Sequence, residues 1–331
     1  MHQFDERHPA FEGFSEFYFQ VIGPRLRDEE AARKAAVKRS LLITPFTLIA
    51  AIFTLTIYYN YGSPSWGQFF LVSIFAFGIA FCAAAHPFER VIVTTRKSLI
   101  GGFCRFKRWS SFRVGSFQKD ARRLLDLGLV PAYQYASFGY PVVGESHGVS
   151  FSFCRAALSK SDMLKNDPYP WKSTFTGQII VISFKGQFRG RTAVFPDKGL
   201  LNRKKRGSMK RVRLVDPIFE KKYEVYGTDQ VEARYLLSPD FMQRLVDLEH
   251  AFKAKSVRFG FIDNQLLIAV ETRMRLGVGS LFRPLDDPKR MQRILYVMGA
   301  IYGVIEGMTK PQERISAVSY THLTLPTIYS V

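Results

Sequence analysis

Side chains able to do chemistry are sparse and scattered in this chain. Its six histidines are His2, His8, His86, His147, His250 and His322, and no two stand at i,i+4. His250 follows Asp247 and Glu249 on a predicted helix, but a zinc site needs further ligands that the sequence does not place. A solvated helix face is the plainer reading. Cys82, Cys104 and Cys154 form no C-x-x-C pair and read as small apolar filler. No G-x-S-x-G, Walker A, G-x-G-x-x-G or H-E-x-x-H run is present. Gly277-Val278-Gly279-Ser280 lacks a following phosphate-binding lysine and reads as a connector. No catalytic residue, metal ligand or cofactor is therefore assigned.

Two charged groups remain as candidates. Asp229, Glu232 and Arg234 lie together on a short predicted helix, as a polar pocket or as a structural ion-pair cluster. Arg203, Lys204, Lys205, Arg206, Lys210, Arg211 and Arg213 fall within eleven residues that contain no acid. Such a segment suits anionic lipid headgroups, at about 1 kcal/mol per basic residue near the surface. It also suits nucleic-acid phosphates, or it is a solvated loop. Lipid ranks above nucleic acid because of what precedes the segment in the chain.

From Ser40 to Phe88 no Asp, Glu, Lys or Arg occurs. Leu41–Tyr59 and Phe69–Ala85 are apolar stretches of membrane-spanning length, given a requirement of about 17–25 residues. Between them Gly62, Pro64 and Gly67 mark a turn, with Tyr58, Tyr59, Tyr61 and Trp66 where an interfacial aromatic belt is expected. A buried core helix seldom runs so long without a charge, and a signal peptide fits less well still, since the first apolar run begins 40 residues in and is longer than an h-region. Arg33, Lys34, Lys38 and Arg39 precede the first stretch, and Arg90, Arg96 and Lys97 follow the second. Positive flanks stay cytoplasmic. The expected location is the bacterial cytoplasmic (inner) membrane, multi-pass, with both termini in the cytoplasm.

The chain has 331 residues, 47 Lys+Arg against 28 Asp+Glu, and a formal charge of +19. With 47% hydrophobic and 15% aromatic residues, disorder is excluded, and three cysteines exclude a disulfide scaffold. Residues 1–39 read as a helical cytosolic segment whose stripe of Phe11, Phe14, Phe17, Tyr18 and Val21 packs on the soluble domain. Residues 40–88 form the helical hairpin, 89–117 a basic juxtamembrane helix, and 118–310 a cytosolic α+β domain. In that domain strands are expected over 149–154, 174–184, 191–195, 211–214 and 219–226, with a hairpin over 257–270. Helices are expected over 229–236, after the Ser238-Pro239-Asp240 start signal, and over 288–308. The fold class is α+β: a two-helix transmembrane hairpin followed by a domain with a mainly antiparallel sheet and packed helices.

Lys210–Leu237, continued by Ser238-Pro239-Asp240-Phe241-Met242, resembles the bacterial family called domain of unknown function 3137. Phe175-Thr176-Gly177, Phe188-Arg189-Gly190-Arg191-Thr192 and the 257–270 hairpin carry the same resemblance, over roughly residues 15–310. It implies two spans ahead of a cytosolic α+β domain and supplies no catalytic residue. Residues 318–331 resemble a translated sequencing-adapter artefact and are left out of fold reasoning. The function expected is binding or scaffolding at the membrane. Its partners are the bilayer, anionic headgroups, and other membrane proteins or further copies of the chain. A membrane-bound enzyme with an unrecognised active site is the alternative. The flanking charges predict that a topology reporter fused near Ser63 is active only outside the cytoplasm and one fused after Lys310 only inside. The reverse pattern would overturn the orientation.

Overall fold

The computed structural model describes residues 4–6, 8–62, 65–109, 116–139, 141–161, 171–197, 207–214, 216–277, 279–280 and 282–321. They fall into two units, one of Met1–Phe106 with Arg275–Leu295, the other of Lys107–Met274 with Tyr296–Val331.

In the first unit a 3-10 turn, Pro9–Phe11, leads through α1 (Phe14–Phe17) and a π-helical turn (Tyr18–Ile22) into α2 (Gly23–Gly62). α3 (Trp66–Phe106) returns along α2. Both helices are long and apolar enough to cross a membrane, and only 11% and 6% of their most apolar 18-residue windows is buried. Of the helix expected over 89–117, residues 89–106 are helical as the end of α3, and 110–115 lie outside the described residues. α3 continues without a break to Phe106, because Val91, Thr95, Leu99 and Phe103 keep one face of it buried. The N-terminal stripe is also relocated. Phe14 packs on Phe103 and Phe106 with ring centroids 5.8 and 5.0 Å apart, and Phe17 on Phe106 at 5.3 Å. It therefore docks on the polar-flanked end of α3 within its own unit.

The second unit is built on a nine-stranded antiparallel sheet in the order β1-β3-β4-β9-β8-β5-β7-β6, with β2 sharing an edge of β3. The strands are β1 (Tyr135–Phe138), β2 (Val142–Ser146), β3 (Val149–Ser161), β4 (Trp171–Ser183), β5 (Thr192–Pro196), β6 (Lys210–Val212), β7 (Tyr223–Gly227), β8 (Ser256–Ile262) and β9 (Gln265–Glu271). Because side chains alternate along a strand, the sheet has two buried faces. One carries Cys154, Ala156, Leu158, Phe175, Ile179, Val181, Leu267 and Ala269 against Phe117 and Leu124 of α4 (Ser116–Asp126). The other carries Phe259 and Phe261, which meet Phe241 of α7 (Pro239–Ala251) at 6.2 and 5.8 Å. It also carries Phe151, 6.3 Å from Tyr302 of α8 (Pro288–Thr321). The α+β class with a largely antiparallel sheet is what the chain adopts.

Local signals explain most boundaries. Ser238 caps α7 through its hydroxyl, which accepts from the Phe241 amide, and Pro239 takes the first helical position. Asp263, at φ 56°, makes the two-residue β8–β9 turn. The single strand expected over 219–226 is corrected. Pro217–Lys222 is α5 and only Tyr223–Gly227 is strand, since the Asp216 carboxylate accepts from the Phe219 amide at 3.1 Å and starts a helix. The last helix runs past the expected 308 to Thr321, while residues 322–331 of the suspect tail lie outside the described residues.

Gly177 pairs with Glu271 where β4 runs beside β9. A Cβ there would overlap the Val270 carbonyl oxygen and lie 2.9 Å from Phe175 Cζ. Gly177→Ala should lower stability by about 3 kcal/mol, as overpacking in a tight core does. Thermal unfolding of the detergent-solubilised chain reads this as a fall in Tm, and an unchanged Tm would contradict the packing.

Candidate functional site

Of the polar candidate cluster, Asp229 precedes α6 (Gln230–Leu236) while Glu232 and Arg234 lie on it, and each serves a different stretch of main chain. Asp229 is the N-cap, its carboxylate accepting from the amides of Val231 (2.9 Å) and Glu232 (3.0 Å). Glu232 accepts from the amides of Arg189 and Gly190, both at 2.7 Å, and so fixes the turn before β5. Arg234 donates from Nε to the Arg213 carbonyl at 3.2 Å. Carboxylates engaged with two amides each are already satisfied acceptors. The arrangement supports turn-fixing more directly than proton transfer.

The basic segment is only partly described. Arg203, Lys204, Lys205 and Arg206 lie outside the described residues. Lys210 and Arg211 are exposed on β6, the edge strand, and Arg213 follows it. Arg211 reaches the buried Glu224 carboxylate at 3.6 Å, so part of its charge is matched. Exposed cations on an edge strand also discourage edge-to-edge pairing.

Burial and pairing set the charge states of several other titratable groups. Burial pushes the Cys104 thiol up to about 12, so it stays protonated and non-nucleophilic near neutral pH. The Tyr223 phenol is raised by burial and by its 2.6 Å hydrogen bond to Glu249. Burial lowers the Lys107 ammonium, which lies 5.7 Å from the Tyr302 ring centroid. Arg258 is lowered by burial but held charged by Glu271, to which it is paired. Among the described residues no group of three or more His, Cys, Asp or Glu comes together that would hold a metal.

A groove of about 1210 Å³, which no motif in the sequence marks, runs along α2 and α3. Small residues, Ala32, Ala35, Ala36, Gly78 and Ala83, open it, and Ile43, Ile74, Phe75 and Ile79 make it apolar. Arg39, His86 and Arg90 line it as well, near the ends of the uncharged stretch. The signal was present as Ala and Gly at helical spacing within two otherwise bulky helices. An apolar slot edged by guanidinium groups has the chemistry to take an acyl chain with an anionic head.

The turn-fixing role of Glu232 is measurable. Glu232→Ala leaves two amides without their acceptor and should reduce stability by about 1–3 kcal/mol. Thermal unfolding checks this, and an unaltered Tm would show that those amides do not depend on it.

A comparison with curated proteins gives no match. Among solved structures, the chain is similar to the crystal structure of the mycobacterial trehalose monomycolate transport factor A, TtfA. The identity is 13% and the TM-score 0.34, over 66% of this chain and 97% of that one. Residues 173–310, from within β4 into the last helix, match the family model described as protein of unknown function (DUF3137).

Proposed function

We propose that the chain is a membrane-anchored binding or scaffolding protein of the bacterial inner membrane, multi-pass, with both termini in the cytoplasm. One observation carries the reading: the most apolar windows of α2 and α3 are almost wholly unburied within the protein. Leu41, Phe46, Ile49, Phe53, Phe70 and Phe81 are each at least half exposed. Exposed apolar surface of this extent marks an interaction with another phase or partner. A core helix of a soluble protein would show the opposite.

The polar groups within the same stretch fit the reading. Thr44, Thr54 and Thr56 donate to the carbonyls of Ser40, Ala50 and Ile52 at 2.7, 2.8 and 2.9 Å. Ser73 does the same to Phe69 at 2.8 Å. Each hydroxyl is satisfied by its own helix, which an apolar medium requires. Nothing in Asp229, Glu232 and Arg234 favours an enzyme, since their hydrogen bonds serve the main chain. Anionic lipid is the ligand class favoured for both the groove and the exposed Lys210, Arg211 and Arg213.

Two measurements test this. Washed membranes extracted with alkaline carbonate should retain the full chain in the pellet, and its release to the supernatant would overturn the anchoring. Thermal unfolding of the detergent-solubilised chain with added phosphatidylglycerol should show a higher Tm than with phosphatidylcholine, as binding to the folded state dictates. Arg39→Gln with Arg90→Gln, or Gln at 210, 211 and 213, should shrink that shift and tell which surface binds. Equal Tm with both lipids, together with a rise on adding an oligonucleotide, would give the basic segment to nucleic acid.

A further inference from the structure

The connector between β9 and α8 follows a purposeful path over the first unit. At Gly277 (φ 79°) it lies against α3, where a Cβ would stand 3.3 Å from Ile100 Cγ1 and 3.7 Å from Arg96 Cγ. By Phe282 it has reached Phe88, the last residue of the uncharged stretch, with ring centroids 6.2 Å apart. From Arg96–Ile100 back to Phe88, α3 rises roughly 12–18 Å at about 1.5 Å per residue. The connector then descends. The Leu285 amide donates to Glu30 Oε2 at 3.0 Å, and the Tyr18 hydroxyl to the Asp286 carbonyl at 3.2 Å. Phe282 is therefore at the apex of a loop that climbs to the end of the apolar helices, and it is 76% exposed there.

Several main-chain groups of this apex find partners within the loop and α8. The Phe282 amide donates to Ser280 Oγ at 3.4 Å, and the Arg283 amide to the Ser280 carbonyl at 3.3 Å. Arg290, only 7% exposed, donates its guanidinium to the carbonyls of Ser280, Arg283 (3.0 Å) and Pro284 (3.1 Å). Gly279 (φ 60°) leaves room for it, since a Cβ there would stand 2.5 Å from Nη1. In water those carbonyls would be solvated at no penalty. An internal donor to all three matters where water is scarce, because unpaired polar groups there cost several kcal/mol each.

We propose that this apex is an interfacial membrane anchor, with Phe282 inserted at the headgroup–acyl boundary and Arg283 among anionic headgroups. It rests on the reading of α2 and α3 as spans. Aromatic rings favour that layer, and a neighbouring cation adds attraction to acidic lipid. The Arg283 side chain is 60% exposed and pairs with Asp287 at 3.9 Å, so its guanidinium is open to solvent while partly matched. Arg290 acts as the positioning residue that lets the loop backbone enter.

The test uses the full chain in proteoliposomes, in a Cys82→Ala background, because Cys104 and Cys154 are buried and Cys82 is the exposed thiol. An environment-sensitive fluorophore is attached at Phe282→Cys, at Phe75→Cys in α3, or at Val231→Cys, an exposed position on α6. Quenching is read with lipids bearing a nitroxide near the headgroup or deep in the chain. The label at 282 should be quenched roughly threefold more by shallow than by deep nitroxide, 75 chiefly by deep nitroxide, and 231 by neither. Arg290→Lys, which cannot serve three carbonyls at once, should move the 282 label toward the response of 231. Quenching at 75 with none at 282 would overturn the anchor while leaving the spans intact. Absence of quenching at both would remove the spans as well. Arg283→Cys gives a second label position should Phe282→Cys not accumulate, with the same outcomes.

Discussion

Main-chain amides and carbonyls that lie away from water must find partners inside the chain, and this constraint organises both units. In α2 and α3 the helical ladder does it, reinforced by hydroxyls that fold back on their own turns. In the sheet the ladder between β3 and β4 is interrupted at Leu158/Ser159, and Thr174 Oγ1 donates to the Leu158 carbonyl at 3.2 Å. The turn before β5 relies on Glu232, and the loop before α8 on Arg290. Charged side chains that look reactive on paper are thus largely engaged in holding loops in shape.

The sheet illustrates why two layers of helices are needed. Ile179–Ile182 in β4 and Leu266–Val270 in β9 are apolar on successive residues, so both faces of the central strands are greasy. α4 covers one face and α7 with the later part of α8 the other. An antiparallel sheet with one solvated face would have alternated. Burying side chains such as Phe175, Phe241, Phe259 and Phe261 each contributes about 1.5–3 kcal/mol.

Much of this was legible in the residues. The long apolar helices declare themselves through an absence of charge, α7 through Ser238-Pro239, and the β8–β9 hairpin through two apolar runs parted by Asp263-Asn264. Resemblance to the DUF3137 family was readable from the segment that its family model covers. The missed elements have physical reasons. Phe219–Tyr226 alternates like a strand, yet an Asp216 cap with Pro217 outweighs that pattern for one and a half turns. β1 and β2 are too short to show a period, and α4 hides behind its high content of charge. The role of Arg290 was invisible because its partners are carbonyls, which no side-chain pattern records. Asp229, Glu232 and Arg234 are close in sequence, but that proximity said nothing of which way their hydrogen bonds run, each to a different stretch of main chain.

Helix length has a mechanical consequence. α2 and α3 hold 40 and 41 residues, about 60 Å each at 1.5 Å per residue, twice the roughly 30 Å of a hydrocarbon layer. On the proposed reading, half of each rod projects beyond the lipid as a stiff double stalk, stapled at its far end by the rings around Phe103. A small tilt of the embedded half would sweep that far end through a proportionate arc. On that reading, the displacement at the stalk's base scales with the length of helix that projects beyond the lipid.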